Sequence, residues 1–127
     1  MIDISSSPIF PELIISQVKK DDCGAVVTFV GAVRNASYGK KVAYLEIETY
    51  DESTKKKLRR IVSDVNQKWQ LHDIAICRRI GTLKVGEIGL VVAVSAPHRK
   101  EAFEACQYAV DSIKQGEITK EKEIYEE

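Results

Sequence analysis

Apolar residues recur at helical spacing in three stretches of the chain, with four short β-branched runs between them. From Pro8 to Lys20 the apolar positions are Ile9, Leu13, Ile14 and Val18, which predicts a first short helix ended at Asp21-Asp22. Gly24 to Arg34 is apolar on both alternating faces, as a strand covered on two sides would be. Val42 to Tyr50 alternates instead, with Val42, Tyr44, Glu46 and Glu48 opposing Ala43, Leu45, Ile47 and Thr49, the pattern of a half-buried strand. The longest helix is predicted after Asp51-Glu52-Ser53-Thr54, whose acidic and hydroxyl side chains suit a helix N-terminus. Its stripe is Leu58, Ile61, Val62, Val65 and Trp69.

Ile74 to Ile80 and Leu90 to Val94 read as two further strands, joined through Gly81 and Gly86 by a tight turn. A last helix is predicted to start at Ser95-Ala96-Pro97 and run to about Lys114 on the stripe Ala102, Cys106, Ala109 and Ile113. Residues 115–127 are a charged C-terminal tail with no readable period. The order α-β-β-α-β-β-α, without internal repeat, predicts a single α+β domain, 1–127, with helices packed on a mostly antiparallel sheet.

Charge changes little in this picture. Nineteen Lys and Arg balance nineteen Asp and Glu, so no net field draws nucleic acid, and an anionic ligand has to be caught by a local cluster. Near-zero net charge also favours self-association. There is no basic-then-apolar leader pattern at the N-terminus and no run long enough for a membrane helix. Cys23, Cys77 and Cys106 are odd in number and lack a CxxC, which points to reduced thiols and a cytoplasmic protein with no zinc or disulfide framework. Motifs for nucleotides, metals or redox cofactors are absent, so no cofactor is expected.

Three groups of residues carry candidate chemistry. His98, Arg99 and Lys100 crowd a predicted helix N-terminus, where free N–H groups already favour anions; a solvated basic turn is the plainer reading of the same residues. Arg34 follows a buried strand, at the kind of strand end where ligand residues gather. Lys114 ends an apolar stripe, and Lys120 and Lys122 follow in the charged tail; a lysine near other cations or an apolar wall can serve as base or nucleophile.

In this order the pieces resemble one family. Thr28 to Asn35 is similar to an F-x-G-x-V-R-N strand, and Arg79 to Glu87 to an R-x-G-x-L-x-x-G-E hairpin. Ser95 to Ala105 resembles an S-x-H-R-x-x-A-F-E-A helix start, and Asp111 to Lys114 a D-x-[LI]-K helix end. These are motifs of the molybdopterin synthase catalytic (large) subunit family. The resemblance implies a sulfurtransferase of molybdenum cofactor biosynthesis, built as a homodimer with a small ubiquitin-like carrier subunit at each end. The carrier's C-terminal Gly-Gly thiocarboxylate would deliver sulfur to cyclic pyranopterin monophosphate, forming the molybdopterin dithiolene. By position, Phe29, Arg34, His98 and Arg99 would bind substrate and Lys114 would be the catalytic lysine.

One departure stands out. The family usually continues with P-[IF]-W-K-[KR]-E, bearing a second functional lysine, whereas this chain reads Ile118-Thr119-Lys120-Glu121-Lys122-Glu123, with Glu121 at that lysine's position. Lys120 or Lys122 is therefore expected to supply the second cation. The alternative expectation is a non-catalytic or regulatory dimeric module that binds an anion or a pterin. Geometry adds a further expectation. His98 and Lys114 are sixteen residues apart on one predicted helix, roughly 24 Å, so both can reach one pterin only if two subunits share each site.

Overall fold

The run Leu90 to Val94 lies in a strand with apolar layers on both faces. The computed structural model describes residues 1–127, in the order β1 (Ile2–Ser5), α1 (Pro11–Val18), β2 (Ala25–Ala32), β3 (Ala36–Ser37), β4 (Lys40–Thr49), α2 (Glu52–Lys68), β5 (Asp73–Arg79), β6 (Gly81–Lys84), β7 (Ile88–Ala96), α3 (Arg99–Gln115) and β8 (Thr119–Tyr125). The main sheet has the order β1-β5-β7-β2, antiparallel except for β1 beside β5. Alternation along β5 and β7 splits the core in two. Ile74, Ile76, Leu90, Val92 and Val94 face α2 and α3, while Ala75, Cys77, Val91 and Ala93 face α1. Small residues on the second face let one short helix sit close to the sheet. Each fully buried Val, Leu or Ile here contributes about 1.5–3 kcal/mol.

The α2 stripe Leu58, Ile61 and Val65 is buried, as its spacing predicts. Against it and the sheet, α3 lays a face dominated by Ala102, Ala105 and Ala109, all fully buried. Alanine allows close helix–sheet approach, and Cys106 and Ile113 fill the gaps between. Gly24 brings the start of β2 against the end of β7: a Cβ at this position would lie 2.2 Å from the Pro97 carbonyl oxygen.

A second, smaller sheet is centred on β4, which pairs with β6 on one edge and β8 on the other, while β3 forms a short hairpin with its start. Its own core is Val33, Val42, Ile47 and Leu83. Four expectations change. The segment Gly81 to Glu87 is more than a turn: Gly81, at φ 104°, redirects the chain into β6 and the second sheet. The last helix starts at Arg99, because Ser95 and Ala96 still pair with β2. Residues 2–5 form β1, an edge strand too short to show a period.

The largest correction is at the C-terminus. The charged segment 115–127 is not a loose tail but contains β8, paired with β4 from Thr119↔Thr49 to Tyr125↔Val42. Its start is fixed by Thr54, a fully buried residue in the first turn of α2. The Thr54 hydroxyl accepts the Tyr50 N–H at 2.8 Å and donates to the Ile118 carbonyl at 2.7 Å. Asp51 occupies the α2 N-cap but its side chain makes no capping bond.

Candidate active site

Where the two sheets meet the end of α3 there is an open cleft of about 610 Å³. The end of β2 supplies Phe29 and Gly31, the following segment Arg34, β4 Leu45, the last turn of α3 Lys114, and β8 Glu121, Glu123 and Tyr125. Lys114 belongs at a helix C-terminus electrostatically, since a cation there complements the macrodipole. The buried Ile113 beside it ties that turn to the core.

Two carboxylates share the cleft with the cations, Glu123 linked to an arginine through a serine hydroxyl and Glu121 paired with one directly. Arg34 Nη2 donates to Ser37 Oγ at 3.1 Å, and Ser37 Oγ donates to Glu123 Oε1 at 3.1 Å. Ser37 is buried, so this relay fixes the Arg34 guanidinium to the β3–β4 hairpin and to β8 together. Glu121 Oε1 lies 2.7 Å from Arg78 Nη2. Lys114 has no ion-pair partner within the chain.

Of the residues singled out from sequence, Phe29, Arg34 and Lys114 converge on this cleft. Lys120 and Lys122 do not line it. Alternation along β8 turns Glu121, Glu123 and Tyr125 to the cleft and the two lysines to the opposite face. There Lys122 stands opposite Glu46 and Lys120 opposite Glu48 on β4, cross-strand pairs of opposite charge. Lys120 does border a second hollow, of about 320 Å³, that Lys114 also lines from the other side of Glu121. Lys122 reaches neither.

His98 and Arg99 are exposed at the far end of α3, with His98 as the N-cap residue. The helix is continuous over Arg99–Gln115, so these residues stay on the order of 24 Å from Lys114. Sequence reasoning missed Arg78, Ser37, Glu123 and Tyr125. Arg78 had a signal: two successive arginines end an apolar strand, and alternation must turn one of them inward. Ser37 and Glu123 had none, since they meet across 86 positions.

No cluster of three His, Cys, Asp or Glu side chains is arranged to hold a metal ion. No helix is long and apolar enough to cross a membrane.

Comparison with known proteins places the chain in a family. Residues 4–116 match the MoaE protein family. The Bacillus subtilis molybdopterin synthase catalytic subunit is 42% identical over 125 residues, 98% of this chain and 80% of that one. The human molybdopterin synthase catalytic subunit is 42% identical over 116 residues, 91% of this chain and 60% of that one. The crystal structure of molybdopterin synthase from Staphylococcus aureus superposes with a TM-score of 0.92 at 39% identity, covering 98% of this chain and 91% of that chain. With its fold and nearly its whole length shared with these proteins, the chain belongs to the molybdopterin synthase catalytic subunit family.

Proposed function

We propose that this protein transfers sulfur from the C-terminal thiocarboxylate of a small ubiquitin-like carrier ending in Gly-Gly to cyclic pyranopterin monophosphate, in the cytoplasm, yielding the dithiolene of molybdopterin. The observation that carries this reading is the convergence of Phe29, Arg34 and an unpaired Lys114 on one open cleft. Thiocarboxylate and cyclic phosphate are both anions, so their encounter needs fixed positive charge. Arg34 is already held by Ser37 and provides a rigid donor for an anionic group of the substrate. Lys114, free of any partner in the chain, provides the mobile one: it can offset charge as the phosphate ring opens, and pass a proton to the leaving oxygen.

His98 and Arg99 enter through a second copy of the chain. In a two-fold dimer the α3 N-terminus of one subunit would approach the cleft of the other, so each site would use Lys114 and Arg34 of one chain and His98 and Arg99 of its mate. A non-catalytic dimer binding the same anions is the competing reading, and Glu121 at the second-lysine position is what favours it.

The deciding experiment mixes the protein with thiocarboxylated carrier and cyclic precursor and assays for dithiolene. Turnover that falls about 100-fold or more in a folded Lys114→Ala protein is the expected result. No product from the wild-type chain would favour the non-catalytic reading. Normal turnover by Lys114→Ala would remove Lys114 from the mechanism.

A further inference from the structure

Arg78 is the most deeply buried charged side chain near the cleft, 4% exposed, and the sulfur-transfer chemistry does not use it. It comes up from the end of β5, behind the wall that β8 forms. Nη1 donates to the Gly89 carbonyl at 3.4 Å, a long bond, and Nε has no partner. Nη2 lies 2.7 Å from Glu121 Oε1, but without the alignment of a hydrogen bond. A guanidinium so little satisfied is costly to bury, and its main compensation is the charge of Glu121. Glu121 itself is 42% exposed and forms part of the cleft lining.

The consequence for a cleft that receives anions is direct. A carboxylate in the wall repels them, by an amount that a half-exposed setting reduces but does not remove. Glu123 is tied through Ser37 to Arg34, so its charge is offset from inside the cleft. Glu121 makes no ion pair on the cleft side, although Lys114 lines the same cleft, and its close compensation comes from behind, through Arg78.

We propose that Arg78 is a positioning residue for the anion-binding cleft: from beneath the wall it holds and neutralises Glu121, and so sets the affinity of the cleft for its anionic substrate. The inference rests on the reading above that the cleft takes the pterin phosphate. It assigns to the Arg78–Glu121 pair a role in affinity, with the chemistry left to Lys114.

Charge then orders the variants. Arg78→Met keeps the apolar stem but leaves Glu121 uncompensated, and the KM for cyclic pyranopterin monophosphate rises on the order of tenfold, with a smaller change in kcat. Glu121→Gln leaves the guanidinium uncompensated, and KM falls below wild type at low salt, an advantage lost as salt is raised. The double variant Arg78→Met/Glu121→Gln restores neutrality, and its KM returns to within about threefold of wild type. A purely structural role for Arg78 predicts no such recovery.

The test measures KM and kcat for all three proteins in the sulfur-transfer assay with thiocarboxylated carrier, at two salt concentrations, with Lys114→Ala alongside. An unchanged KM in folded Arg78→Met, or a double variant as impaired as Arg78→Met, overturns the proposal. Should Arg78→Met not fold, Glu121→Gln decides alone: a lowered KM supports the proposal, and an unchanged or raised one overturns it. Loss of turnover in Lys114→Ala with a flat Arg78 series refutes this inference only. Wild-type behaviour of Lys114→Ala refutes the reading of the cleft and this inference with it.

Discussion

His98 and Lys114 stand at opposite ends of one unbroken helix, the first as the N-cap of α3 and the second in its last turn. Sixteen residues at about 1.5 Å each separate them by roughly 24 Å, and about 100° per residue turns them to different sides. Mixing an inactive His98→Ala chain with an inactive Lys114→Ala chain should therefore restore activity. A mixed dimer holds one site with both defects and one with neither, so up to about half the wild-type rate returns. Confirmed subunit exchange without any recovery would show that each site is complete within a single chain.

The two faces of β8 separate the tail lysines. Lys122 looks away from the cleft and faces Glu46, so Lys122→Ala should lower turnover by no more than a few-fold. Lys120 borders the hollow behind Lys114, and Lys120→Ala should have the larger effect of the two. A greater loss from Lys122→Ala would mean that β8 turns over when the substrates bind.

Thr54 links α2 to the wall of the cleft. Thr54→Val keeps the shape but leaves the Tyr50 N–H and the Ile118 carbonyl without their shared partner. The expected cost is about 1–3 kcal/mol, a fall in Tm on the order of 5–10 °C. Since Ile118 leads into β8, amide exchange should quicken first along residues 118–125. Faster exchange spread evenly over the chain would contradict this local account.

The thiols should divide by burial. Burial pushes the Cys106 thiol up to about 11 from its ordinary 9.0, against a smaller opposing effect of the Phe29 backbone. Cys77 also rises to about 11, through burial first and the nearby Asp3 charge second. An aromatic disulfide reagent at neutral pH should thus modify Cys23 quickly and the other two only on unfolding. Both raised values favour the protonated, folded state. Their contribution is complete below pH 9.0 and is lost as pH rises through about 11. Cys106→Ala and Cys77→Ala variants should lose less stability over that interval than the wild type.

Elements with an apolar period are legible in the amino-acid sequence alone. The α2 stripe and the two-faced apolar run of β7 lie where spacing places them; β2 does so in position but is only half-buried, and a bulge between Val42 and Tyr44 of β4 turns Val42 to the same core as Ile47. Phe29, Arg34 and Lys114, grouped by the family resemblance and not by spacing, line one cleft. What escaped is held by backbone pairing or charge. β8 has no apolar face along Lys120 to Glu123, and its hydrogen-bond partner β4 lies about seventy to eighty positions earlier. The Arg78–Glu121 pair joins strands from different sheets, a meeting that no local pattern encodes. The helix start at Arg99 moved for a related reason: Ser95 and Ala96 have helix-start chemistry, but the ladder with β2 claims them first.

The alternation of β8 makes the sign of the cleft wall a matter of register. Residues 120–123 read Lys-Glu-Lys-Glu, so a one-position slip against β4 that carries Lys120 and Lys122 into the places of Glu121 and Glu123 would exchange two carboxylates for two ammonium groups without altering the composition. Insertions or deletions between Gly116 and Thr119 are therefore more consequential than most substitutions nearby. One added residue would set Lys120 and Lys122 in the places of Glu121 and Glu123, inverting the polarity of the wall and turning a like charge to the Arg78 guanidinium, whereas two would restore the facing but set Thr119 against Arg78.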